Sequence, residues 1–364
     1  VVWRHEDVFF ALGGGVDAYT NERVTHGHQL AEKAAATENP MISLNTPPLM
    51  HGAAQWGALR FLFEGGTVVF VPRFDPAEVW AAVKRDKVNT MMITGDAMAR
   101  PLVEALEGHS DDWDLSSLFV LSSSAAIFSP TVKEKMLDLL PNIIIVDAIG
   151  SSESGMNGMA VQTKGQTATQ GGGGPTVQAG RDAVVLDDDL KPLEPGTGVV
   201  GKLARGGNIP IGYYKDPEKT AATFVTVDGR RYSMPGDFAT VEADGSITLL
   251  GRGSVCINTG GEKVFPEEVE EVLKTHEDVH DAVVVGVPDE KFGEAITAVV
   301  ELAPGLELDE LTLVAHVKGK LATYKAPKRV LAVDTIGRAP NGKVDYKRLR
   351  RHAMDTLGVD DPGT

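Results

Sequence analysis

Cysteine is almost missing from this chain: Cys256 is the only one among 364 residues. One thiol excludes a disulfide framework and a cysteine-based metal site within the chain, and fits a reducing, cytoplasmic setting. Long apolar runs are missing too. No stretch of eighteen or more uninterrupted apolar residues occurs, so no transmembrane helix is predicted. The longest candidate, residues 61–71, is broken by Glu64-Gly65-Gly66 and reads as a buried strand after a turn. Positive charge is in deficit, with 35 Lys+Arg against 51 Asp+Glu and a net charge of −16. That average field repels duplex nucleic acid and anionic lipid. An anionic nucleotide is still admitted, because local donors and a metal ion outweigh a distant field. The first residue is not methionine, and Val1-Val2-Trp3-Arg4-His5 lacks the basic-then-apolar order of a secretory leader. The chain opens on what reads as a helix already inside a domain, and a preceding segment is expected.

What is present supports two or three domains at this length, with 42% apolar residues to fill their cores. Residues 1–40 read as mainly helical and polar. From Leu44 onward, short apolar runs alternate with amphipathic ones. Strands are predicted over 66–71, 90–94, 118–122 and 143–146, and helices over 76–86, 99–106 and 130–140. This alternation predicts an α/β layer with a largely parallel sheet over residues 1–165. The texture then changes. A Gly171–Gly174 run is followed by short strands near 183–186, 199–204, 238–241 and 247–250. Asp228-Gly229 and Asp244-Gly245 stand where hairpin turns belong. Residues 166–252 are therefore expected to form a small antiparallel sheet or partial barrel. A third unit, 253–364, reads as compact α+β. Pro266 opens a helix whose Glu267 and Glu268 suit its positive end, and Val269, Val272 and Leu273 form its buried stripe. Strands 282–287, 296–302 and 330–333 and a helix over 308–321 follow. The last few residues, rich in Asp, Pro and Gly, are expected to fray.

Several short segments carry polar chemistry. Gly150-Ser151-Ser152-Glu153-Ser154-Gly155 follows an apolar strand directly. In an open parallel sheet, ligands sit off the carboxyl ends of strands. A hydroxyl and a carboxylate there can hold a phosphate oxygen and a magnesium ion; a polar loop capping the next helix is the competing reading. Gly206-Gly207, followed after four residues by Gly212-Tyr213-Tyr214-Lys215-Asp216-Pro217-Glu218-Lys219-Thr220, reads on its own as a Gly-rich turn with a helix start. Tyr232-Ser233-Met234-Pro235-Gly236-Asp237 ends on a carboxylate that can accept both hydroxyls of a ribose, or its Gly-Asp is simply a turn. Gly251-Arg252 lies beyond it, and Thr259-Gly260-Gly261-Glu262-Lys263-Val264-Phe265-Pro266 leads into the helix. Arg338-Ala339-Pro340-Asn341-Gly342-Lys343 presents one lysine at a turn, where a solvated side chain is the default.

Taken in this order and spacing, the set resembles the adenylate-forming superfamily of acyl- and aryl-CoA ligases, peptide-synthetase adenylation domains and luciferases. The resemblance runs from about residue 40 to about residue 350, and 251–270 is its most specific stretch. The fold it implies is the C-terminal portion of a large adenylation domain, an α/β layer plus a small β-barrel-like subdomain, followed by a mobile small α+β domain. By resemblance, Ser152 meets the α-phosphate and Glu153 binds magnesium. Ser124, Ala125 and Ala126, matching a Gly-Gly-Ala-Pro stretch, pass along adenine, and Gly150 belongs to the same nucleotide site. Asp147 reads the adenine amino group. Ile149 replaces the aromatic residue most members set against the base. Asp237 and Arg252 contact the ribose, with Pro235 departing from the family's Thr. His51 and Trp56 line the acid pocket. Lys343 reaches across from the small domain, which turns about a hinge near Ser254, where many members have Asp or Lys. Gly260, Gly261 and Glu262 then line a pantetheine tunnel.

The activity implied is AMP-forming acyl-CoA synthesis from ATP, a hydrophobic carboxylic acid and coenzyme A. Asp147–Glu153 together with Asn258–Lys263 looks like actinobacterial synthetases acting on long-chain fatty acids or steroid side chains. The family's Ser/Thr/Gly-rich phosphate loop ending in Pro-Lys-Gly is not found. The chain is therefore read as a fragment beginning just after that loop, inactive alone and prone to associate through exposed core surface. Two other readings stay open: a ligase that delivers acyl-AMP to a carrier protein, and a catalytically inactive fragment.

Overall fold

The computed structural model describes residues 1–17, 22–109, 112–166, 170–171, 174–339 and 342–360. The glycine-rich run at 171–174 lies partly outside the described residues, as do the last four residues.

The first layer contains helices α1 (His5–Ala11), α2 (Gly27–Ala36), α3 (Gly52–Phe63), α4 (Pro76–Asp86), α5 (Gly95–Leu106) and α6 (Pro130–Leu139). Its strands are β1 (Ile42–Asn45), β2 (Thr67–Phe70), β3 (Thr90–Ile93), β4 (Val120–Ser124), β5 (Ile144–Ser151) and β6 (Gly155–Gln162). Local chemistry fixes the helix ends. Asp75 caps α4 by accepting the Glu78 N–H at 3.0 Å, with Pro76 next, and Lys87 closes the helix in the left-handed region. Val79, Trp80, Ala82 and Val83 turn inward from α4, and the Trp80 indole donates to the Leu102 carbonyl at 3.1 Å. They join Leu44, Met91, Ile93, Leu121, Met136 and Ile145 in one dry core.

The strand order is β2-β1-β3-β4-β5, all parallel, with β6 antiparallel on β5. The connections leave β1 in opposite directions, so a crevice opens beyond the carboxyl ends of β1 and β3. Two elements differ from expectation. Residues 61–63 belong to α3, not to a strand; Glu64 N–H still bonds to Arg60 O, and Gly65, at φ 78°, ends the helix so that β2 starts only at Thr67. No helix follows Glu153. The chain reverses into β6, whose composition carries no strand alternation.

The sheet continues through β8 (Gly174–Ala179), next after the short β7 (Gln170–Gly171), into an antiparallel, barrel-like region. This region holds β9 (Ala183–Leu186), β10 (Gly201–Arg205), α7 (Pro217–Thr223), β11 (Phe224–Val227), β12 (Arg230–Ser233), β13 (Asp237–Val241) and β14 (Ile247–Arg252). Its core is Val177, Val185, Leu203, Ala239 and Ile247.

A separate five-stranded sheet follows: β15 (Ile257–Thr259), β16 (Glu262–Val264), β17 (Val279–Asp289), β18 (Gly293–Leu302) and β19 (Arg329–Val333). Helices α8 (Pro266–Lys274) and α9 (Glu310–Lys320) pack on one face through Val269, Leu273, Leu313 and Val317. Helix α10 (Tyr346–Leu357) covers the other through Leu349, Ala353 and Met354.

Candidate active site

The polar segments gather at the carboxyl edge of the parallel sheet. Beyond β4, Ala125 takes φ 69°, a left-handed conformation that costs an L-residue about 1–2 kcal/mol. Strain of this kind is held by surrounding structure and tends to lie at functional edges. Beyond β1, His51 precedes α3, whose first residue, Gly52, stands over Ser152: a Cβ there would be 3.1 Å from Ser152 Oγ.

Ser152 and Glu153 form the reversal between β5 and β6. The Trp3 indole donates to Ser152 O at 2.9 Å, and the Trp3 ring meets Trp56 edge-on at 5.1 Å. Trp56 in turn backs Gly155, where a Cβ would lie 3.2 Å from the indole. The Glu153 backbone carbonyl accepts from Ser233 Oγ at 2.7 Å. Its carboxylate Oε1 accepts from the Tyr213 hydroxyl at 2.9 Å. Among the described residues, no group of three or more His, Cys, Asp or Glu could hold a metal ion. Magnesium needs less, since it binds through one or two carboxylates, waters and phosphate oxygens. The half-buried Glu153 carboxylate fits that donor set.

The small unit reaches the same crevice. Arg338 is clamped to Asp281 by two bonds, at 2.6 and 2.8 Å, and donates to Gly342 O at 3.2 Å. Ala339 N–H bonds to Lys343 O at 2.9 Å, closing the turn. Gly342 is buried against the large unit: a Cβ on it would lie 3.2 Å from Ala126 Cβ and 3.3 Å from Thr94 O. Lys343 follows on this turn, and the His51 pKa is lowered by burial and then by the Lys343 charge.

Asp237 and Arg252 face one another across β13 and β14, and Arg252 Nε donates to Asp237 Oδ1 at 3.0 Å. Burial opposes the Arg252 charge, but Asp237 outweighs it and raises the pKa, with Glu153 adding to the effect. Asp147 is already engaged by an ion pair with Lys133. Burial raises its pKa despite that partner. Ile149, expected to lie against a base, is instead 8% exposed and packed in the core of the barrel-like region with Val177 and Leu203. Its alternation along β5 turns the side chain to that core.

The chain passes from one sheet to the other through a 3-10 turn at Gly253–Val255, which contains Ser254. Gly260 and Gly261, at φ 60° and 89°, form the two-residue turn between β15 and β16, a geometry that favours glycine. With Glu262 they are not brought to Ser152. They lie across from Thr240, Thr248 and Leu250, where Gly261 and Glu262 line a cavity of about 540 Å³ with Tyr324 and Lys325. Trp3, Tyr213 and Ser233 were not assigned to the site from sequence. Each lay in a segment that was read there for other reasons, and nothing local linked Tyr213 to Glu153, 60 residues away.

The family model described as AMP-binding enzyme matches residues 19–214, and that of its C-terminal domain matches residues 268–343. The chain is 54% identical over 366 residues to a 3-oxocholest-4-en-26-oate–CoA ligase of Rhodococcus rhodochrous, covering 99% of this chain and 64% of that ligase. It is 52% identical over 361 residues to a medium/long-chain-fatty-acid–CoA/3-oxocholest-4-en-26-oate–CoA ligase of Mycobacterium tuberculosis, covering 99% of this chain and 65% of the relative. The chain thus spans under two thirds of the length of these relatives. Among solved structures, ATP-bound MatB from Rhodopseudomonas palustris superposes with a TM-score of 0.75 at 26% identity, covering 91% of this chain and 63% of MatB. The amide bond synthetase McbA from Marinactinospora thermotolerans gives 0.74 at 28% identity, covering 90% and 66%.

Proposed function

The chain belongs to the AMP-binding enzyme family, and from that premise we propose that the whole protein is an ATP-dependent acyl-CoA ligase for hydrophobic carboxylic acids. Medium- to long-chain fatty acids and steroid side-chain acids are the substrate class, supported by the names of relatives at 52–54% identity. ATP and coenzyme A as co-substrates point to a cytoplasmic site of action. The observation that carries the reading is the close approach of Gly342 to Ala126, together with the effect of the Lys343 charge on His51, whose neighbour Gly52 stands over Ser152.

A carboxylate is a poor electrophile and must first become a mixed anhydride. One substrate oxygen attacks the α-phosphorus of ATP, the bond to the β-phosphate oxygen breaks, and pyrophosphate leaves. Such transfers depend on positioning and charge neutralisation. Lys343 supplies a positive charge where negative charge concentrates, and Ser152 donates to the α-phosphate. Magnesium held by Glu153 would neutralise phosphate charge. Asp237 and Arg252 hold the ribose, the Ser124–Ala126 strand end and Gly150 border the adenine, and His51 and Trp56 border the acid. In the second step the coenzyme A thiol loses its proton, sulfur attacks the acyl carbon and AMP leaves. That step needs another arrangement, reached by turning the small unit about Ser254 so that Gly260-Gly261-Glu262 replaces the Lys343 turn.

The test is a panel of fatty, aryl and steroid acids offered to the whole protein with ATP, magnesium and coenzyme A, following AMP and thioester. AMP and acyl-CoA in equal amounts from apolar acids are expected. Lys343→Ala should slow adenylate formation by roughly a hundred- to a thousandfold. Adenylate without thioester would favour delivery to a carrier protein, and no turnover of any acid would sink the proposal.

A further inference from the structure

The Gly212–Thr220 segment has no part in the chemistry described above, yet it supplies the side chain that touches Glu153. Gly212, at φ 154°, lets the loop close on α7: a Cβ there would lie 2.5 Å from Thr220 Cγ2. The Tyr213 N–H donates to Thr220 Oγ1 at 2.9 Å, and that hydroxyl donates to Asp216 O at 2.6 Å. Asp216 caps α7 by accepting the Lys219 N–H at 2.9 Å. The loop is pinned from outside as well. Val2 exchanges backbone bonds with it, its N–H to Gly212 O at 2.8 Å and its carbonyl from Ile211 N–H at 2.9 Å. Arg231 Nη2 donates to Ile211 O at 2.9 Å.

The ring is held as firmly as its backbone. Phe224 packs against it at 5.9 Å, and the Lys219 ammonium stands 4.2 Å from its centroid. Buried Thr223 faces the phenol. The phenol is the donor in the contact with Glu153, its O–H reaching Oε1 at 2.9 Å. Ser233 fixes the Glu153 carbonyl at 2.7 Å, so Glu153 is restrained at both ends.

We propose that Tyr213 is a positioning residue: its hydroxyl holds Oε1 of Glu153, and so aims the carboxylate at the cation that accompanies the nucleotide. This rests on the reading of Glu153 as the magnesium carboxylate. A carboxylate free to rotate must be ordered when the cation binds, and the phenol does that beforehand. The apolar ring suits a half-buried position, and its single O–H donor leaves the second carboxylate oxygen available.

The test measures binding of a non-hydrolysable ATP analogue to the whole protein, with and without magnesium, in wild type, Tyr213→Phe, Glu153→Gln and the double variant. Loss of a hydrogen bond to a charged group predicts that Y213F reduces the magnesium-dependent gain in affinity by roughly tenfold. Affinity without metal should stay unchanged, and Y213F should add no loss on top of E153Q. Three results would overturn the proposal: a full metal-dependent gain in Y213F while E153Q loses it, a metal-free loss as large as the loss with metal, or an undiminished Y213F effect in the E153Q background. A full gain in E153Q would instead remove the reading of Glu153 on which the proposal stands.

Discussion

Gly342 lies against Ala126 so closely that a Cβ on the glycine would stand 3.2 Å from the alanine Cβ and 3.4 Å from Ala97 Cβ. The contact joins two units whose sheets are separate, and it seats Lys343. The glycine is needed twice, for φ 76° and for the approach. Gly342→Ala should therefore weaken docking without unfolding either unit. We expect acid-dependent pyrophosphate exchange in the whole protein to fall about tenfold, since left-handed backbone costs alanine about 1–2 kcal/mol. Thioester formation from synthetic acyl-AMP should change little. Equal losses in both half-reactions would mean the contact is not particular to the first.

The Asp237–Arg252 pair, 3.0 Å apart, predicts how the proposed ribose contacts behave together. Asp237→Ala and Arg252→Ala should each weaken AMP binding by about tenfold. Because the two side chains bond to each other, the double variant should lose less than the product of the single losses. Calorimetric titration of AMP into the four proteins of the cycle decides this; strictly multiplicative losses would mean that the pair acts as two independent groups.

The parts of the fold and site that could be read in the sequence are those in which a few adjacent residues carry the information. The apolar stripe of α8 and the alternation of short apolar strands with amphipathic helices in the parallel layer are of this kind. Ile149 could not be read, because its role depends on which face of β5 meets the barrel-like region. Strand β6 was missed because Gly155–Gln162 has no apolar alternation, and its pairing with β5 is tertiary. Tyr213 and Trp3 were missed for a related reason: their bonds to Glu153 and Ser152 span 60 and 149 residues. Spacing along a chain says nothing about such distances in space.

Lys133 and Asp147 form a buried ion pair, with side-chain exposures of 7% and 17%. Breaking it from one side leaves an uncompensated charge. Lys133→Met is expected to destabilise the chain by about 3 kcal/mol. Lys133→Met combined with Asp147→Asn should cost less than Lys133→Met alone, because no buried charge is left. Urea unfolding of the single and double variants tests this. A double variant no better than Lys133→Met would show that the loss lies in contacts of the ammonium such as that with the Phe128 ring, 5.5 Å from it, and not in the charge left on Asp147.

Helix α8 carries Glu267 inward at the junction with β14, where Oε2 is buried without a hydrogen-bond partner. Burial, and then the neighbouring Glu270, push its pKa from the ordinary 4.5 up to about 8. The folded protein thus keeps a proton that the unfolded chain has released. This contribution to stability is fully present below about pH 4.5 and is lost as pH rises through about 8. Glu270, raised to about 7 chiefly by burial and opposed by Lys274, acts in the same direction over a narrower window. Glu267→Gln cannot titrate, so its stability should fall less than that of wild type between pH 5 and pH 8.5, with Glu270 accounting for the slope that remains. Amide exchange in α8 and β17, read at both pH values, measures the small unit directly. An E267Q protein with the wild-type pH slope would show that Glu267 is ionised in the folded state.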